Sequence, residues 1–393
     1  MSEDAAPATT AQHWRAERGL LNQTRAVAAH AAAGLYPPAQ RLEHLPFLST
    51  PRWLAPAPIP LDALSLQLRE DEQPAVLSDT AAEAAHVRPL SASGVPFTSY
   101  TDALAAIARP ATFEDRPAYR LLDVDLSAAA GRLTFSVDTY FRKLGLAEAC
   151  AHESSRALHA SAGAALSWAD LPLRQRIGDP FDLTTRSVVP DVQTLTLRRS
   201  RARGGATFLV HWRDPAKVAT NAGLHGLVPT GEFQPTTGAT ATAGEQERTG
   251  DFDLWHTIVK ELSEEVLGRP ERGGEETPVD YEHWPFLRTL QQARTGGRLQ
   301  VHFLGIGVDP LTLAASIMTV AVFDDDLFDQ VFADAVAVNA EGVLTAAAGT
   351  CRVSDGFPFT EQAIAHLLHG GMTPPSAATL HRAWTLRRHL IET

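Results

Sequence analysis

The chain has 393 residues, 44% of them hydrophobic, and a formal net charge of −12, so it is long enough for one large domain with extensions or for two of ordinary size. The acidic balance argues against broad electrostatic binding to nucleic acid or an anionic membrane. Cys150 and Cys351 are the only cysteines, which indicates no disulfide framework or zinc cluster and fits a reducing cytoplasm.

In chain order, residues 1–12 are small and polar and are expected to be disordered. Residues 13–33 read as a helix with Trp14, Leu21, Ala28 and Ala32 on one face and Arg15, Arg18 and Arg25 nearby. A DNA-contacting helix is allowed by those cations but not favoured, because no second helix stands at helix-turn-helix spacing. Residues 46–60, PFLSTPRWLAPAPIP, form an extended Pro-rich strap expected to cover apolar area of a neighbouring surface. A first, smaller α/β unit is expected over 88–190, with strands at 119–126 and 132–137 and a helical stretch at 137–153 interrupted at Gly145. His152, Glu153 and Asp138 suggest a polar site there, but sequence neighbours on a helix face different ways, so structural roles are favoured. Arg174, Arg176 and Arg186, in the loop 171–186, are candidates to meet an anionic ligand.

From Asp191 the period switches to two. Residues 192–199 alternate cleanly, Arg203-Gly204-Gly205 marks a turn, and 206–212 complete a hairpin. Residues 225–233, HGLVPTGEF, read as a third strand ending in a Gly turn. The small, polar stretch 236–249 reads as a lid or an insertion. Residues 251–268, DFDLWHTIVKELSEEVLG, then form an amphipathic helix. Trp255, Ile258, Val259, Leu262 and Val266 share its apolar face, and Glu261, Glu264 and Glu265 converge off that face. Crowded carboxylates repel, and a divalent cation with oxygen preference, Mg²⁺ or Mn²⁺, resolves the repulsion. Strands at 299–308 and 316–323 follow, the second apolar enough for burial on both faces. Asp324, Asp325 and Asp326 read as a solvated turn, and two helices, at 359–368 and 375–390, close the chain. No apolar run is long enough to span a membrane, and no signal peptide is expected.

The segment Lys260-Glu261-Leu262-Ser263-Glu264-Glu265 resembles the core of the Nudix box, Arg-Glu-apolar-any-Glu-Glu. The order strand, hairpin, strand, Pro-x-Gly turn, loop, acidic helix also follows the beginning of a Nudix domain. The pattern departs from the family at three places. Lys260 stands for Arg; Val266 and Leu267 put one residue too many before Gly268; and Phe252 occupies the place of an upstream Glu, with Asp251 and Asp253 beside it. Each inserted residue turns a helix by about 100°, which threatens the register of the carboxylates. Through FLVHWRDP, PTGEFQP and the acidic helix, the chain is also similar to actinobacterial proteins labelled as regulators.

The resemblance implies an α/β (α+β) architecture: a Nudix-like mixed sheet sandwiched by helices over 191–393, preceded by the α/β unit at 88–190 and by an N-terminal helix and strap over 1–87. It implies a metal-dependent hydrolase that cleaves a diphosphate linkage in a nucleotide or phosphorylated metabolite. Glu261, Glu264, Glu265 and the backbone of Gly231 would hold Mg²⁺ or Mn²⁺. Glu264 and Glu265, braced by Lys260, would be catalytic. Arg198, His211, Arg213 and Glu232 are the substrate contacts suggested by strand parity. The alternatives are a ligand-sensing regulator that has lost hydrolysis and a fold put to other use in specialised metabolism. A homo-oligomer is compatible with either.

Overall fold

The computed structural model describes residues 7–69, 75–110, 113–127, 130–161, 163, 165–200, 204–213, 223–236, 250–271, 279–333, 335–336, 342–345 and 355–391. Most of the stretch 236–249 and Cys351 lie outside them.

Helix α1 (Pro7–Ala33) begins before the expected start at residue 13. Trp14, Leu21, Ala28 and Ala32 are buried, as their spacing requires. Its arginines bind within the chain, and Arg18 and Arg25 are buried. Arg15 donates to the carbonyl of Ile107 at 2.7 Å, and Arg18 and Arg25 both grip the buried carboxylate of Glu148. The strap follows and contains β1 (Leu54–Pro60), after which β2 (Ser65–Leu68), α2 (Tyr100–Ile107), β3 (Pro117–Asp125) and β4 (Arg132–Thr139) lead into α3 (Tyr140–Ala160). Helix α3 runs unbroken past Gly145, and His152 and Glu153 lie inside it, not at its end. His152 is buried between Tyr100 and Glu17. Glu153 accepts the N–H groups of Leu173 at 2.7 Å and Arg174 at 3.0 Å, capping α4 (Pro172–Ile177). Both roles are structural.

The loop cations are structural as well. Arg174 donates to the carbonyls of Pro310 and Leu311, each at 2.6 Å, and Arg186 donates to those of Pro180 and Leu313. Both are buried and spent on backbone carbonyls; Arg176 stays at the surface, 3.7 Å from Glu83.

The second half supplies β5 (Asp191–Arg199), β6 (Ala206–Phe208), β7 (Val210–Arg213), β8 (His225–Leu227) and β9 (Thr230–Glu232). The expected single strand over 225–233 is broken at Val228-Pro229, since Pro229 has no N–H to give a ladder; β8 pairs with β7, whereas β9 pairs with β5. Helix α5 (Leu254–Glu261) continues as a wide π-turn over Leu262–Val266. Then come α6 (Pro285–Thr295), β10 (Leu299–Val308), β11 (Ala315–Asp324), α7 (Asp325–Val331), β12 (Gly342–Thr345), β13 (Phe357–Pro358), α8 (Glu361–Gly370), α9 (Pro374–Thr385) and α10 (Arg387–Ile391). The aspartates 324–326 start α7 instead of forming a free turn, and Asp324 and Asp325 pair with Arg199 and Arg198.

The protein is of the α/β (α+β) class. A seven-stranded mixed sheet runs β1-β10-β11-β5-β6-β13 with β9 alongside β5, and β11 and β5 are parallel at its centre. Alternation sorts β11 between two cores. Ile317, Ala321 and Phe323 pack with Ile258, Val259, Leu262 and Leu290 of α5 and α6, and Met318, Val320 and Val322 pack with Ala377, Leu380 and Ala383 of α9. Helices thus cover both faces. Hydrogen bonding crosses the expected boundaries: β1 pairs with β10, and Leu48 exchanges two backbone bonds of 2.8 Å with Val308. The smaller sheet β2-β4-β3 joins the main body through Tyr119, Phe135, Phe233 and Phe252, whose rings pack 4.6–5.7 Å apart. No helix of the described residues is long and apolar enough to cross a membrane.

Candidate active site

The apolar face of α5 is seated as its periodicity predicts, with Leu254, Trp255, Ile258, Val259, Leu262 and Val266 all buried. Asp253 caps the helix, accepting the Trp255 N–H at 2.6 Å. Asp251 is buried under Thr236 and the hydroxyl of Tyr281, which donates at 2.7 Å. Phe252 lies in the aromatic cluster. The place of the upstream acid therefore serves packing and capping.

The extra residue before Gly268 is taken up by the π-turn, which holds one more residue per turn than an α-helix. Gly268 sits at φ 63°, a left-handed cap that favours glycine. The Arg269 N–H reaches back to the Ser263 carbonyl at 3.1 Å, one residue further than the usual closure. The polar flank is consequently not turned away: Lys260, Glu261 and Glu264 all line a cavity of about 480 Å³.

Strand β9 forms the adjoining wall. A Cβ on Gly231 would collide with the carboxyl group of Glu261, so the bare backbone there packs directly against that side chain. Thr230 fixes Glu265, its N–H donating at 3.0 Å and its hydroxyl at 3.3 Å. Of the three helix glutamates, then, Glu261 and Glu264 face the cavity, and Glu265 ties α5 to β9. Lys260 is buried 3.6 Å from Glu261. Burial works against its charge, but Glu261, Glu264, Glu271 and Asp251 outweigh that and hold its pKa above the usual lysine value.

Of the expected substrate contacts, Arg213 and Glu232 line the cavity and Arg198 and His211 do not. Arg198 lies at the far end of β5, bound to Asp325 at 2.6 Å and Asp329 at 2.8 Å. His211 is buried in the β7 ladder opposite Gly226. Strand parity gives the side of a sheet but not the end of a strand at which a cavity opens.

Sequence reasoning missed Asp191, Lys143, Gln193 and Arg116. Asp191 and Glu232 are direct partners across β5 and β9, an arrangement that repels two carboxylates. Lys143 reaches over from α3 and pairs with Glu232. Burial, chiefly, and then Glu232 push Asp191 up to about 6 despite Lys143. The same lysine is held above its ordinary range by Glu232 and Asp191, against the effect of its burial. The Oδ1 of Asp191 and the Oε2 of Glu232 are buried without a hydrogen-bond partner among the described residues. Gln193 accepts from Ser376 at 2.9 Å. The only sequence signal for this group was the strand start after Pro190; its pairing partner is 41 residues away and carries no mark.

The donor set suits a hard divalent ion, because every anionic side chain on the cavity wall is a carboxylate. Among the described residues, no three His, Cys, Asp or Glu side chains are already gathered to hold one. No protein-family model matches the chain, and no curated protein matches it.

Proposed function

We propose that this cavity binds a diphosphate-bridged small molecule and hydrolyses it with the help of Mg²⁺ or Mn²⁺, in the manner of a Nudix hydrolase. The observation that carries the reading is the position of Glu261 and Glu264, with Lys260, on the wall of one cavity of about 480 Å³ despite the altered motif. That volume lies within the range of small-molecule sites. Glu261 and Glu264 would hold the ion, with Glu265 behind them on Thr230. When bound, the ion supplies neutralisation of phosphate charge and a more acidic water. Arg213 is positioned to meet the anionic part of the substrate. Release of phosphate or nucleoside monophosphate from a panel of nucleoside diphosphate derivatives, dependent on added Mg²⁺ or Mn²⁺, tests the proposal. Glu264→Gln should abolish it with folding unchanged, and activity that persists in that variant would remove the helix from the chemistry.

A second reading, a sensor that binds such a ligand without cleaving it, is favoured by one observation. Glu265 is already held by Thr230, and no trio of acids among the described residues is gathered around a point. Saturable binding of the same ligands without turnover would select it.

A further inference from the structure

Arg116 belongs to the segment that leads into β3, yet it lines the cavity beside Lys260, Glu261 and Glu264. Its backbone is fixed from two sides. The Tyr140 N–H donates to the Arg116 carbonyl at 2.8 Å, and the neighbouring Asp115 accepts the Phe141 N–H at 2.8 Å. The segment therefore caps the start of α3 and sets Arg116 at the cavity edge. Among the described residues, its guanidinium is held by two side chains, Glu114 at 2.9 Å and Glu271 at 3.0 Å. All three are substantially exposed, at 34%, 44% and 51% of their side-chain surface.

That combination differs from three arginines elsewhere in the fold. Arg120, Arg174 and Arg186 are buried and donate to backbone carbonyls, which cannot leave. Exposed ion pairs contribute little to stability, so Arg116 is held weakly by groups that can move aside. A planar guanidinium that donates to carboxylates in two directions matches phosphate oxygens in the same way. We infer that Arg116 is a phosphate-binding residue of the cavity, and that Glu114 and Glu271 occupy its guanidinium until a phosphoryl group of the substrate displaces them. The inference rests on the diphosphate reading above and assigns a recognition role to the first α/β unit.

The test uses the full chain with Mg²⁺ and inorganic pyrophosphate as the probe, with binding followed by calorimetry and hydrolysis of nucleoside diphosphate derivatives followed in parallel. Arg116→Ala should weaken pyrophosphate binding on the order of tenfold or more, and Arg116→Lys should restore part of it. Glu271→Gln should tighten binding severalfold, because a competitor for the guanidinium is gone. A merely structural pair predicts the same sign for both, since each substitution breaks the same contact. Weakening or no change in Glu271→Gln overturns the inference, and that variant decides the matter alone if Arg116→Ala does not fold. Hydrolysis by the wild type without these opposite signs defeats the role of Arg116 and leaves the activity standing. Opposite signs without hydrolysis support Arg116 and defeat the hydrolase reading. A wild type that neither binds nor cleaves defeats both.

Discussion

Asp191 and Glu232 face each other across a strand pair with one lysine between them, so the group carries more negative charge than Lys143 can balance. Burial first, and Glu232 after it, favour a proton on Asp191 and push it up to about 6 against the pull of Lys143. Folding raises this carboxyl above its ordinary 3.8, so the stability it lends is complete below that value and is lost as pH rises through about 6. Asp191→Asn should gain on the wild type in urea midpoint as pH goes from 4 to 7, and a difference that stays constant over that window would mean that no proton is shared. Gly231 makes the second prediction at this scale. Gly231→Ala forces the Glu261 carboxyl away from β9. It should cost little stability, because a flexible side chain yields, and should cut ligand binding, read by denaturation and titration of the same sample. Glu261, Glu264, Lys260 and Gly231, singled out by the resemblance, and Arg213 and Glu232, singled out by strand parity, line one cavity. Sequence reasoning could not find Asp191 or Arg116, because their meaning lies in contacts made over long stretches of chain.

At the scale of elements, local pattern was the better guide. The apolar stripes of α1 and α5 and the two-faced burial of β11 were all legible, since periodicity needs only neighbours in sequence. The π-turn was not. One residue too many was expected to swing the acids out of register, but widening a single turn absorbed it and left Gly268 in its cap. The arginines of α1 show the complementary limit: their spacing allowed a DNA contact without favouring it, and only the fold shows that Arg18 and Arg25 close on Glu148 of the same chain. Burial opposes the charge of Glu148, but Arg25 and Arg18 outweigh it and bring its pKa down to about 2. Its contribution is therefore present above the ordinary 4.5 and is lost as pH falls toward 2. Glu148→Gln would leave two buried guanidinium groups unbalanced and should cost about 3–5 kcal/mol at neutral pH. The gap to the wild type should narrow in acid; a gap of the same size at pH 3 and pH 7 would argue against the ion pair as its source.

At the scale of the whole molecule, composition shifts along the chain suggested three consecutive units, and the tertiary bonding runs across them. The Pro-rich strap is an edge strand of the main sheet, where its missing N–H groups are tolerated. Arg174 and Arg186 in the first α/β unit close the carbonyls of Pro310, Leu311 and Leu313 beyond β10. The Tyr119 N–H donates to the Phe233 carbonyl at 3.1 Å, joining β3 to the strand that leads into the cavity. A fragment of residues 191–393 would lose β1 from beside β10, uncover the aromatic cluster around Phe233 and Phe252, and leave those carbonyls without donors. It should therefore show no cooperative thermal transition and should aggregate, whereas the full chain should melt in one transition by circular dichroism and by calorimetry. A sharp, reversible melt of the fragment would mean that the apolar contact between units is dispensable. The cavity would then have to be completed by docking of two separately stable bodies, and Arg116 and Lys143 would arrive at it by association instead of by folding.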